Sequence, residues 1–270
     1  MNLEIIPVEL LSDYLAQVNE NLPEELEKLH DSGLSAGAFS FYTSVSAVFS
    51  SKIEGENIEL DSFIKHKRFG IEYLPNYTRK TEDLYSAYLF AQASALNETA
   101  MAKAHGLIAQ NILPKAQQGK VRKENMFVIT EDGKIEYVAA DPDIAVNELH
   151  KLFDDIEVLK KRSLTIKEVF FFASAIHLIF VKIHPFNDGN GRTARLLEKW
   201  FIAEKAGAKA WFVQSEKYYY NHHQTYYDNI RRLGLEYPLL DYSKALPFLL
   251  MLPKALYLLL ILIMSINILL

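Results

Sequence analysis

From Val169 to Val181 the chain reads Val-Phe-Phe-Phe-Ala-Ser-Ala-Ile-His-Leu-Ile-Phe-Val, apolar on nearly every helical face and interrupted by His177. A surface helix carries one apolar stripe, so a segment greasy all round predicts a buried central helix. Its length suits a core helix rather than a membrane span. Thr165 and Glu168 have the spacing of a capping box, which sets the start. Pro185 disfavours the α region for His184, which sets the end. A second helix is predicted from Arg192 to Glu204, with Leu196, Leu197, Trp200 and Phe201 at helical spacing. Other helical patterns run over Pro23–Asp31, Phe39–Lys52, Asp61–Phe69, Thr81–Asn97, Glu98–Asn111, Asp143–Lys160 and Lys217–Arg232. Two strand-like runs, Phe127–Thr130 and Ile135–Val138, flank Asp132-Gly133, a hairpin signal. The fold class is therefore mainly α with a small β-hairpin. From Ala255 to Leu270 the chain is again apolar on every face.

Chemistry concentrates in the link between the two central helices, His184-Pro185-Phe186-Asn187-Asp188-Gly189-Asn190-Gly191-Arg192-Thr193-Ala194-Arg195. Glycines on both sides of Asn190 permit dihedrals that point successive backbone N–H groups at one anion. The helix that follows adds the positive end of its dipole. Arg192 and Arg195, three apart on one face, can reach phosphate oxygens as bidentate donors. Asp188 can hold Mg²⁺ against phosphate oxygens, and His184 has a pKa range suited to taking a proton from a hydroxyl. Together they compose most of a phosphoryl- or nucleotidyl-transfer site.

This segment resembles the signature of the Fic (Fido-fold) family, HxFx[DE]GNGRxxR, at every specified position. The resemblance implies a Fic helical fold and a protein adenylyltransferase. His184 would be the base for a target Ser, Thr or Tyr hydroxyl, and Asp188 would coordinate Mg²⁺. Gly189, Asn190 and Gly191 would bind the inner phosphates of ATP, with Arg192 and Arg195 at the outer ones. The kinase-like Doc branch carries Lys where this chain has Gly191, so glycine there favours transfer of AMP over phosphorylation. Upstream, Ser50-Ser51-Lys52-Ile53-Glu54-Gly55 resembles the family's inhibitory pattern [ST]xxxE[GN] in Ser50, Glu54 and Gly55. Ser50 and Glu54 share one helical face, and a Glu54–Arg195 ion pair would take the charge that should hold the γ-phosphate. The hairpin resembles the flap that docks a target segment as an added strand, with Val128 and Ile129 as its docking residues. Tyr226 and Tyr227 lie at about the distance where the family places residues near the adenine. The alternatives are removal of AMP at the same site, and a toxin-like or regulatory nucleotide binder without turnover.

Bulk properties narrow the field. The 270 residues are half hydrophobic and carry a net charge of −5, and the sequence pI is about 5.9. That balance argues against nucleic-acid partners. There are no cysteines, and the first residues lack a basic segment followed by an apolar run, so a cytoplasmic setting is expected. His222-His223 lacks the partners of a zinc set. The expected organisation is an N-terminal helical region over 1–98 including the inhibitory helix, a catalytic core over 99–250, and an apolar C-terminal helix over 251–270. For that tail, burial or cover in a homodimer is favoured over a membrane anchor. The expected partner is a target protein with a hydroxyl side chain, including the chain itself.

Overall fold

The computed structural model describes residues 2–256 apart from 38, 74–75, 130–132 and 134. Its centre is the expected pair of helices, α8 (Ile166–Ile183) and α9 (Asn190–Ala206). Residues 169–180 of α8 and 192–202 of α9 are all buried, so each helix is walled on every side. The capping box starts α8: Thr165 Oγ1 accepts from the Glu168 N–H and the Glu168 carboxylate accepts from the Thr165 N–H. The helix stops at His184, whose backbone is left-handed (φ 53°, ψ 58°). The second central helix begins at Asn190, two residues before the sequence expectation.

Around this pair lie α1 (Leu11–Gln17), α2 (Leu22–Glu27), α3 (Phe41–Ile53), α4 (Leu60–Phe69), α5 (Arg79–Gln92), α6 (Glu98–Ile108) and α7 (Pro142–Lys161). After α9 come α10 (Ser215–Asn221), α11 (His223–Arg231) and α12 (Leu246–Leu249). Helix α1 was not expected. It has no side-chain cap and is held by tertiary packing, Tyr14 meeting Phe171 edge-on at 5.2 Å. The backbone N–H groups of Glu4, Ile5 and Ile6 all donate to the Asp155 carboxylate on α7, at 2.7, 2.9 and 2.9 Å, which ties the N-terminal arm to the core.

The single helix expected over Lys217–Arg232 is two helices broken at His222 (φ −119°, ψ 37°). Its Nδ1 donates to the Tyr218 carbonyl at 2.9 Å and its ring stacks on Tyr218. A side chain that takes an i−4 carbonyl perturbs the ladder at that point, and the helix turns. The hairpin pairs β1 (Phe127–Ile129) with β2 (Ile135–Val138) antiparallel, Val128 opposite Tyr137 and a bulge between Val128 and Ile129. Thr130 and Asp132 of the expected strand and turn lie outside the described residues, as do residues 257–270. Of the apolar tail, residues 251–256 are helical and pack into the core through Leu252, Ala255 and Leu256. Among the described residues no helix is long and apolar enough to cross a membrane.

Candidate active site

The turn between α8 and α9 is built by side chains rather than by its glycines alone. Asn190 folds back on Phe186, Oδ1 accepting from the Phe186 N–H at 2.9 Å and Nδ2 donating to its carbonyl at 2.8 Å. The Asn190 side chain is therefore spent on the loop, and only its backbone is free to meet a phosphate. His105 on α6 stacks on Phe186 with ring centroids 3.6 Å apart. Its Nδ1 accepts from the Gly119 N–H at 3.0 Å, so Nε2 carries the hydrogen and donates to the Asp188 carbonyl at 2.9 Å. Burial keeps this imidazole neutral, its pKa lowered to about 4 against the pull of Asp188. Arg122 gathers the carbonyls at the end of α8: Nε donates to His184 at 2.8 Å, and its backbone N–H to Pro185 at 2.9 Å.

These contacts present His184 in a defined form. Its Nδ1 lies 3.3 Å from the Val181 carbonyl. A carbonyl only accepts, so the hydrogen sits on Nδ1 and Nε2 keeps a free lone pair. Burial, reinforced by the Arg122 charge, lowers its pKa to about 4. The ring is thus an unprotonated base at neutral pH.

Gly189 has φ 81°, as the turn requires. Gly191 is different: it lies inside α9 with an ordinary helical backbone, which corrects the expectation that both glycines serve unusual dihedrals. What residue 191 needs is space. A β-carbon there would lie 2.5 Å from Glu54 Oε1 and 3.2 Å from Arg195 Nη1.

Glu54 reaches that spot from the end of α3, where Gly55 (φ 83°) turns the chain away. Its Oε1 accepts from Arg195 Nη2 at 2.6 Å, with side-chain exposures of 23% and 1%. Ser50, one turn earlier, supplies two more acceptors for the same guanidinium: Oγ to Nε at 2.8 Å and the carbonyl to Nη2 at 3.2 Å. Burial alone would raise the Glu54 pKa, but Arg195 and Arg192 overcome it and hold it below the usual carboxylate range. The three residues of the upstream pattern and the last arginine of the loop are therefore brought together.

Glu56 was missed by the sequence reading. Its Oε1 lies 2.7 Å from Lys80 Nζ and 3.4 Å from Arg192 Nη2, so both loop arginines face carboxylates from one turn of chain. Arg192 Nε is buried without a partner among the described residues. The only signal for Glu56 was a second acidic residue just past Gly55. Nothing local pointed to His105 or Arg122.

A cavity of about 150 Å³ opens between the turn and the hairpin, lined by Glu54, His184, Arg195, Val128, Tyr226 and Tyr227 among others. That is small beside the roughly 300–1,000 Å³ of common ligand pockets, and the Glu54 carboxylate stands within it. Tyr226 lines the cavity, and its hydroxyl binds Arg195 Nη1 and His177 Nε2 at 3.3 and 2.9 Å. Tyr227 packs beside it, under the Arg231 guanidinium. Ile129 does not line the cavity and is 59% exposed. Asp188 is the one expected metal ligand, with its side chain 51% exposed at the mouth of the turn. Among the described residues no group of three or more His, Cys, Asp or Glu could cage a metal. One open carboxylate beside a phosphate turn suits Mg²⁺, which normally keeps waters and substrate oxygens as its other ligands.

Comparison with known proteins agrees with this architecture. A Fic/DOC family model matches residues 95–202. A crystal structure of a Fic family protein from Desulfovibrio desulfuricans G20 is similar with a TM-score of 0.66 at 17% identity, covering 95% of this chain and 73% of that one. A Fic domain containing signaling protein from Bacteroides thetaiotaomicron VPI-5482 gives 0.62 at 18% identity, covering 92% and 91%. Fic-1 of C. elegans (residues 134–508) gives 0.65 at 17% identity, covering 95% and 72%. No curated protein matches the sequence. At such identities the structural likeness establishes the fold.

Proposed function

Since the chain carries a Fic/DOC-family domain over residues 95–202, we propose that it is an autoinhibited protein adenylyltransferase, moving AMP from ATP to a hydroxyl of a target protein. The observation that carries the reading is the Glu54–Arg195 pair, 2.6 Å long and set in the cavity that His184 lines.

In the released state His184 Nε2 takes the hydroxyl proton and the oxygen attacks the α-phosphorus. The bond from that phosphorus to its bridging oxygen breaks, and pyrophosphate leaves with the electron pair. The backbone of residues 189–191 and the start of α9 cradle the inner phosphates, and Arg195 and Arg192 bind the outer ones. Asp188 is the residue that would hold Mg²⁺, which when bound neutralises phosphate charge. Catalysis of this kind is chiefly positioning and electrostatics. With Glu54 on Arg195 the outer phosphates lose their anchor, and a misplacement of about 1 Å can cost about a hundredfold in rate. The hairpin is proposed to receive the target segment, with Val128 toward the cavity and Ile129 toward the incoming chain.

The test is self-modification with labelled ATP. Glu54→Gly should raise it, and His184→Ala in that background should abolish it; no rise in the first variant overturns the inhibitory role. A second reading has one observation in its favour: Glu54 and His184 line the same cavity, where together they could hold a water for removal of AMP. Release of AMP from a modified target by the unmutated chain, lost in Glu54→Gly, would select it.

A further inference from the structure

Arg195 is buried but for an edge on the cavity, and its seat has two halves of different origin. One half is the end of α3, with Ser50 Oγ, the Ser50 carbonyl and Glu54. The other half is a file of buried side chains from α8, α9 and α11. Arg195 Nη1 donates to the Tyr226 hydroxyl at 3.3 Å. A guanidinium has no acceptor, so the phenol oxygen accepts there and its one hydrogen goes to His177 Nε2, 2.9 Å away. That fixes the imidazole tautomer. The His177 hydrogen is on Nδ1 and is donated to Glu198 Oε2 at 2.7 Å, an oxygen that also accepts from the Tyr219 hydroxyl at 2.7 Å. All five residues, Arg195 and Tyr219 included, are at most 1% exposed.

We infer that His177 and Glu198, acting through the Tyr226 hydroxyl, are positioning residues that keep Arg195 aimed at the outer phosphates of the nucleotide once Glu54 has left it. The inference rests on the adenylyltransferase reading above. Withdrawing Glu54 takes the closest counter-charge from a fully buried cation, which is unfavourable unless hydrogen bonds and another charge compensate. Glu198 lies on the same helix and faces the guanidinium through the file, where each hydrogen bond polarises the next. Core-derived contacts remain when the end of α3 moves. They therefore govern phosphate binding in the active state rather than the inhibited one. This also separates the Tyr226 hydroxyl from any stacking its ring makes with a base, since only the hydroxyl is part of the file.

The test uses the full chain in the Glu54→Gly background, with ATP and AMP binding measured by calorimetry. Adding Tyr226→Phe keeps the ring and removes the file. ATP affinity should fall about tenfold, as expected for a lost hydrogen bond to a charged group, while AMP, which lacks the outer phosphates, changes less than about twofold. Adding His177→Gln, which can still accept from the Tyr226 hydroxyl, should retain more ATP affinity than His177→Leu. ATP affinity unchanged by Tyr226→Phe, or ATP and AMP weakened together, overturns the inference; equal ATP affinity in the Gln and Leu variants removes His177 from it. If Glu54→Gly alone binds neither nucleotide, the transferase reading fails and takes this inference with it, an outcome visible before Tyr226 is touched.

Discussion

The Glu54 carboxylate occupies the space that a β-carbon on residue 191 would need, 2.5 Å from where that atom would stand. Gly191→Ala must therefore push Glu54 off Arg195. The displaced carboxylate can turn to solvent and Arg195 keeps Ser50 and Tyr226, so the cost should be about 1–3 kcal/mol, below the 3–5 kcal/mol of a fully buried pair cut in half. In a Glu54→Gly background the same substitution meets no carboxylate and should cost at least about 1 kcal/mol less. Denaturant unfolding of the four chains of this cycle measures the coupling directly; additive costs would mean that the two residues do not meet.

Acid should loosen the fold before it loosens most surface contacts. His105 and His184 both have folded pKa values lowered to about 4 from an ordinary 6.5. Between those values the unfolded chain binds protons that the folded chain refuses, so stability rises with pH across that window and falls as pH drops through it. Glu54 adds to the same trend: its folded pKa lies below its ordinary 4.5, so the stability it contributes is present above 4.5 and lost as pH falls through the folded value. The slope of unfolding free energy against pH between about 4 and 6.5 should be shallower in His105→Gln than in the parent chain. An unchanged slope would show that His105 titrates normally.

Glu56 gives Arg192 a carboxylate of its own, shared with Lys80. In a Glu54→Gly chain, Glu56→Gln should tighten ATP binding about two- to fivefold, the range of a partly exposed ion pair. Lys80→Met should act in the opposite direction, because Glu56 then has Arg192 as its remaining nearby cation. Calorimetric titration reads both, and shifts of the same sign would contradict the sharing.

What the sequence made legible was local. Thr165 and Glu168 cap α8 three residues apart, Pro185 marks its end, and the apolar run between them could only be interior. Ser50 and Glu54 sit on one helical face whatever lies around them. What it hid was contact at long range: Arg122 collecting carbonyls from residue 184, His105 holding Asp188, and Asp155 binding the N-terminal arm have no periodicity to announce them. Gly191 was singled out partly for unusual dihedrals, and there the expectation fails. Its dihedrals are ordinary, and the constraint comes from a carboxylate 137 positions earlier in the chain (191 − 54). The break at His222 escaped notice because helical spacing of the tyrosines continues across it.

Because Ser50, Glu54 and Arg195 belong to one polypeptide, the carboxylate on Arg195 is a tethered ligand whose local concentration is set by the end of α3. Occupancy of the arginine is an equilibrium within each molecule, shifted by whatever favours one position of that helix end over another.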